Sequence, residues 1–205
     1  MISMNSKGPQ PIVCLTEEPT EILYLLGEEH RIVGITVYTV RPPEAKKRFP
    51  VVSAFIDGSV KRICELEPDL IIGFSDIQAD LAAKLIRANQ QVLIFNQRSI
   101  DEILEVILTI GRIVSAEDRA RELVRSYKTR IEEVKQRSLE LEYRPKVYFE
   151  EWDQPTFSAI RVYPVSVEAI AIGVAELHAL PFVSIRGVRY VPPSARVPWP
   201  TPEIS

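Results

Sequence analysis

Cysteine is nearly absent from these 205 residues: Cys14 and Cys64 are the only two, and no C-x-x-C pair exists. A disulfide scaffold and a cysteine-ligated zinc module are thereby excluded, and both thiols are expected to be buried in a reducing compartment. Histidine is as scarce, with only His30 and His178. Neither has a second histidine at metal-ligand spacing, so no metal site is expected and little material remains for histidine acid–base chemistry. The 8 glycines compose no G-x-G-x-x-G, no G-x-x-x-x-G-K-[ST] and no G-x-S-x-G. Dinucleotide cradles, phosphate loops and nucleophile elbows are therefore unsupported. No apolar run approaches the roughly 18 residues of a membrane span. Lysine and arginine form no extended basic tract and the net charge is −3, so neither nucleic acid nor an anionic membrane is an expected partner. No positive start followed by an apolar stretch precedes Pro11, which reads as a cytoplasmic chain as written.

What is present is an ordinary globular composition, 46% apolar and 26% charged, arranged in alternating blocks. Ile12–Leu15, Arg31–Ile35, Leu70–Gly73 and Val92–Phe95 are short apolar runs that read as buried strands. Between them lie helical faces: Ile22, Leu23, Leu25 and Leu26, with Pro19 early and Gly27 as terminator; Val60, Ile63, Cys64 and Leu66, stopping before Pro68; Leu81, Ala82, Leu85 and Ile86. Tyr38–Pro50, with Pro42-Pro43, reads as a loop. Ser99 and Glu102 have capping-box spacing ahead of a helix that buries Ile103, Leu104, Ile107, Leu108 and Ile110. A second helix is predicted over Ala116–Glu142, with Leu123, Val124, Tyr127, Ile131 and Val134 on one face, and Val147–Phe149 opens a new strand.

The far end is different material. Nine of the 16 prolines lie from Pro145 onward, five of them between Pro192 and Pro202, and lysine disappears after Lys146. No periodic face survives there, so Val191–Ser205 is expected to be poorly ordered.

Buried strands alternating with helices imply an α/β fold with a parallel sheet, and such sheets bind ligands outside the carboxyl ends of their strands. Those ends carry Thr16–Thr20, Thr36–Tyr38, Phe74–Asp76 and Asn96–Arg98. The carboxylate pairs Glu17-Glu18 and Glu150-Glu151 sit at predicted strand ends, where they read as solvated charges or as an acid–base dyad. Tyr38, Phe55, Phe74 and Trp152 follow predicted strands or lie in the long loop. On one rim they would make a stacking surface for a bulky ligand; under loops they would be ordinary packing.

Several strings resemble a known family. Thr20-Glu21-Ile22-Leu23, Arg31–Thr36, Arg41–Lys47 (R-P-P-E-A-K-K), Val60–Ile63 and Leu66–Ile72 occur in the order found in the first lobe of the helical-backbone periplasmic substrate-binding proteins of ABC importers. The Tyr38 segment, P-P-E-A-K-K and Glu150–Pro155 look most similar to the vitamin B12 (cobalamin)-binding branch. The resemblance covers Pro11 to Ile160. It implies a Rossmann-like first lobe (residues 1–115), a long connecting helix (116–143) and a second lobe beginning at 144–161. It implies no catalysis and no intrinsic cofactor. The ligand, cobalamin or a related corrinoid, would lie between lobes against Tyr38, Phe55, Phe74 and Trp152. A ferric siderophore is the alternative within the fold, and an α/β enzyme using Glu17, Glu18 or Glu150 the alternative outside it. The family works in the periplasm or at the cell surface, with an ABC permease as partner. Here Lys61 stands where the family carries a glutamate that docks the permease, which would weaken that contact. The string P-D-L-I-I occurs once, not twice, and residues 162–205 resemble nothing in the family. The second lobe is therefore expected to be incomplete, as if the frame shifted near Val162. Weak ligand affinity and self-association through an uncovered helix face are the expected consequences.

Overall fold

The computed structural model describes residues 8–54, 56–139, 147–153, 156–158 and 188–190. Strands β1 (Ile12–Cys14), β2 (Ile32–Thr36), β3 (Val51–Ser53), β4 (Leu70–Phe74) and β5 (Val92–Phe95) form one sheet in the order β3-β2-β1-β4-β5. Every neighbouring pair in it is parallel. Helices occupy the crossovers, α1 (Glu17–Leu25), α2 (Ala45–Arg48), α3 (Val60–Cys64) and α4 (Ala79–Arg87), and α5 (Ile100–Ile113) follows the last strand of this sheet. The apolar runs are continuous because β1 and β4 are buried on both faces: Ile12, Val13, Cys14, Ile71 and Ile72 are all fully buried. Val13, Leu15, Val52, Ile63, Ile71, Leu81 and Leu85 form one core cluster.

Two elements were hidden inside the predicted Tyr38–Pro50 loop and just beyond it. The four-residue α2 and the edge strand β3 are too short for periodicity to register, and Pro42-Pro43 and Pro50 mask them. Gly27 ends the α1 region with φ +66°, as expected of a left-handed terminator. Ser99 Oγ accepts from the Glu102 amide at 3.3 Å, but the Glu102 carboxylate reaches back to the Arg98 amide. The box closes one residue earlier than its spacing predicts.

Contacts divide the chain into Met1–Lys128 and Thr129–Ser205, a boundary that falls inside the long helix α6 (Glu117–Leu139). In the second unit β6 (Val147–Asp153) pairs antiparallel with β7 (Thr156–Ser158) and β8 (Val188–Tyr190). Glu150 and Glu151 therefore lie within β6, not at a strand end. The α6 face expected to be uncovered is not open: Val124, Ile131 and Val134 are buried and Leu123 and Tyr127 half-buried. Cys14 and Cys64 are unbonded, the first buried and the second half-buried. His178 and Val191–Ser205 lie outside the described residues.

Candidate functional site

The sheet order fixes where the chain turns back on itself. From β1 it runs outward through β2 to β3, then returns to β4 on the other side of β1. A crevice opens at such a reversal, between the loops leaving the carboxyl ends of β1 and β4. Those loops carry Leu15–Thr16 and Ser75–Asp76. Gln78 closes the crevice floor: its Nε2 donates to Leu15 O at 3.3 Å and its Oε1 accepts from the Phe74 amide at 3.0 Å. Gly73 leaves room for it, since a Cβ there would stand 2.4 Å from Gln78 Oε1.

Two distributions mark this rim as special. Eight large apolar side chains are well exposed among the described residues, and five of them, Val37, Tyr38, Val40, Ile56 and Ile77, follow β2, β3 or β4 at the carboxyl rim. Buried polar atoms without a hydrogen-bond partner concentrate there too: Thr16 Oγ1, Glu18 Oε2, Thr39 Oγ1, Ser53 Oγ and Gln97 Oε1. Native interiors leave few such groups unpaired, and ordered water is the usual partner of the remainder.

Charge at the rim falls in two clusters. At the start of α1, burial and the neighbouring Glu18 push the Glu17 carboxyl above its usual range, against the opposing pull of Arg41, the Val40 amide and Lys46. Burial raises Glu21 too, although Arg41 Nε donates to its Oε2 at 3.1 Å. Beside β4 and β5, Ser75 adopts φ +69°, a backbone conformation that costs a non-glycine residue about 1–3 kcal/mol. Its hydroxyl donates to Asp76 Oδ1 at 2.7 Å and so holds the Asp76 carboxyl below the usual range, with the Arg98 charge adding to the effect. Arg98 lies over the Phe74 ring, 5.3 Å from its centroid, and its Nη2 donates to Ser75 Oγ at 3.2 Å and Asp76 Oδ1 at 3.4 Å.

Tyr38 is 55% exposed on the turn after β2, and Phe74 is the half-buried last residue of β4. Strands β2 and β4 are two apart, so these residues leave the sheet roughly 10 Å from one another. Phe55 lies outside the described residues. Trp152 belongs to β6 in the second unit, in register with Phe157. The sequence reading located the rim, including Asn96–Arg98, but singled out only its aromatics and the Glu17-Glu18 pair. Val37, Val40, Ile56 and Ile77 escaped it because an isolated aliphatic residue in a loop carries no period. Arg98 lay within the predicted rim stretch Asn96–Arg98 and could have been singled out as the cation that precedes the Ser99 cap in the loop after β5. A shallow concavity at the opposite, amino-terminal edge, lined by Pro9, Asp69, Leu70, Gln91 and Ile113, has none of these features.

Among the described residues no group of three or more histidine, cysteine, aspartate or glutamate side chains is placed to hold a metal ion, and no helix is long and apolar enough to cross a membrane. What the rim offers is exposed apolar area and two hydrogen-bonded arginines, Arg41 and Arg98.

The chain is similar to substrate-binding proteins of ABC transporters and to periplasmic solute-binding proteins. An uncharacterized ABC transporter substrate-binding lipoprotein of Bacillus subtilis is 32% identical over 136 residues, 64% of this chain and 43% of that protein. A vitamin B12-binding protein of Pectobacterium carotovorum is 31% identical over 68 residues, 33% of this chain and 24% of its own. The chain thus spans less than half the length of these curated relatives. A crystal structure from Staphylococcus epidermidis, described as a possible iron-binding, periplasmic solute-binding protein, superposes with a TM-score of 0.64 at 25% identity, covering 73% of this chain and 59% of that one. The periplasmic binding protein family model matches residues 12–174, continuing past Ile160, where the resemblance in the sequence ended, and the chain belongs to that family.

Proposed function

We propose that the chain is the solute-binding component of an ABC importer and that the carboxyl rim of its five-stranded sheet receives a large metal-chelate ligand, cobalamin or another corrinoid. The observation that carries this reading is the cluster of Val37, Tyr38, Val40, Ile56 and Ile77, exposed on neighbouring loops of one rim. A flat macrocycle buries apolar area against such a surface. The similarity to vitamin B12-binding proteins from two Pectobacterium strains supports the corrinoid. Tyr38, Phe55, Phe74 and Trp152 are the aromatic contacts of this reading. Residues 1–115 form its first lobe, 116–143 its connector and 144–161 the start of its second. Binding is non-catalytic, and the site of action is the periplasm or cell surface. An ABC permease is the partner, engaged weakly where Lys61, 86% exposed and 3.9 Å from Glu65, replaces an acidic group.

A ferric siderophore is the second reading. It is favoured by Arg98, a cation held at the rim by Phe74, Ser75 and Asp76, which suits an anionic ferric chelate. A titration of cyanocobalamin, followed by its visible difference spectrum, tests the first reading. A ferric catecholate titration, followed by tryptophan fluorescence, tests the second. A saturable change with cyanocobalamin alone supports the corrinoid. A response to the catecholate alone transfers the assignment to siderophores.

A further inference from the structure

We infer that Arg98 sets ligand specificity at this rim by taking an anionic oxygen substituent of the ligand, a phosphate diester or a carboxylate, so that ligands carrying one are preferred over otherwise identical neutral ones. This rests on the proposed metal-chelate binding and adds to it the charge class of the ligand's periphery.

The geometry comes from how the guanidinium is held. Both of its side-chain hydrogen bonds leave from Nη2, to Ser75 Oγ at 3.2 Å and to Asp76 Oδ1 at 3.4 Å. The Nε hydrogen and both Nη1 hydrogens have no partner among the described residues. The plane is fixed from one side by the Phe74 ring, 5.3 Å away. An arginine immobilised along one edge, with its remaining donors open, recognises oxyanions at little cost in side-chain entropy. The Asp76 counter-charge does not cancel it. That carboxylate is 85% exposed at 3.4 Å, a weak and solvent-screened pairing that an incoming anion can replace. The support beneath is built with strain: Ser75 is 1% exposed, sits at φ +69°, and uses its hydroxyl both to accept from Arg98 and to hold Asp76. A surface arginine with no role would not require a strained, buried serine under it.

The test compares two pairs of probes in which only one member carries the anion; the hemin pair differs in the esterified carboxylates alone, the corrinoid pair in the whole nucleotide loop. Cyanocobalamin carries a phosphate diester in its nucleotide loop, and dicyanocobinamide has the same ring without that loop. Hemin carries two carboxylates, and hemin dimethyl ester carries none. Each is titrated by absorbance against the wild-type chain, Arg98→Gln, Arg98→Lys and Asp76→Asn. In whichever pair the wild type binds, the anionic member should bind more tightly. Arg98→Gln should weaken that member about 10-fold or more, while the neutral member changes less than about 2-fold. Arg98→Lys should recover part of the loss. Asp76→Asn, an exposed change that leaves the fold intact, should tighten the anionic member. Equal loss of both members on Arg98→Gln, or no loss of either, overturns the inference while leaving the binding reading in place. Binding of hemin but not of either corrinoid overturns the corrinoid assignment while leaving Arg98 testable on the hemin pair. A wild-type chain that binds none of the four overturns both.

Discussion

Individual side chains in the first unit carry consequences that depend on a few ångströms. Gly73 faces Gln78 Oε1 at 2.4 Å and Ile94 Cδ1 at 2.8 Å from the position a Cβ would occupy. Gly73→Ala should therefore cost about 1–3 kcal/mol and loosen the crevice floor, measurable as a lower denaturation midpoint with an unchanged slope. Cys14 is a second case. Burial pushes its thiol up to about 12, only partly offset by a hydrogen bond with Thr20. A thiol titrating near 8.5–9 in the unfolded chain and near 12 when folded stabilises the fold fully below pH 8.5. That contribution disappears as pH rises from about 9 toward 12. In a thiol-labelling experiment at pH 8, Cys64 should react and Cys14 should stay protected until the protein unfolds. Rapid labelling of both would contradict the buried placement. The sequence predicts burial for both thiols and shows a glycine after two isoleucines, but not that Cys64 is only half-buried or which atoms face Gly73.

At the scale of elements, the first turn of the long helix is tied to Glu28 by an ionic cluster that lies within residues 1–128. Glu28 is 7% exposed and Arg31 4% exposed. Arg31 Nε donates to Glu28 Oε2 at 2.6 Å, and its other nitrogens donate to Pro9 O at 2.8 Å and Val114 O at 3.1 Å. Arg119, near the start of α6, pairs with the other Glu28 oxygen. Burial alone would raise the Glu28 carboxyl; the hydrogen bonds and charges of Arg31 and Arg119 outweigh it and bring it below the usual range. A carboxyl depressed on folding stabilises above its unfolded pKa and loses that contribution as pH falls below it. Arg31→Ala leaves a buried carboxylate and two carbonyls without their donor and should cost about 3–5 kcal/mol, whereas Arg119→Ala, which spares those bonds, should cost less. Thermal unfolding at pH 7 and pH 4 checks both: the gap between wild type and Arg31→Ala should narrow at the lower pH. Farther along α6, Ile131→Glu and Val134→Glu place charges at buried positions. They should lower the melting temperature sharply rather than disperse an oligomer. The α6 periodicity was legible in the sequence, and β1, β2, β4 and β5 were legible as apolar runs. The edge strand β3, the short α2 and the Glu28–Arg31–Arg119 cluster were not, because Val51-Val52 is only two apolar residues after a proline, a four-residue helix shows no period, and an ion pair across 91 positions leaves no local trace.

For the whole molecule, the parallel sheet was predictable from strand–helix alternation, and with it the carboxyl-end address of the site; the strand order, with its reversal between β1 and β4, was not. The composition of the site was only half legible. Aromatic residues at strand ends attract notice because they are large and rare, so Tyr38 and Phe74 were named. The aliphatic Val37, Val40, Ile56 and Ile77 become meaningful only when exposure is seen, since the same residues are core elsewhere in the chain. The central claim is that this rim is a ligand-binding surface, and it can be tested without disturbing the core. Val37, Tyr38 and Val40 are 44%, 55% and 55% exposed, so replacing all three with serine should leave the melting temperature within a few degrees. The decisive measurement is calorimetric titration of cyanocobalamin, with hemin and a ferric catecholate alongside, into the wild-type chain and into this triple variant. The account predicts saturable binding of one of these chelates to the wild type and a loss of about 10-fold or more in the variant. Undiminished binding by the folded variant, or no binding by the wild type, would contradict it.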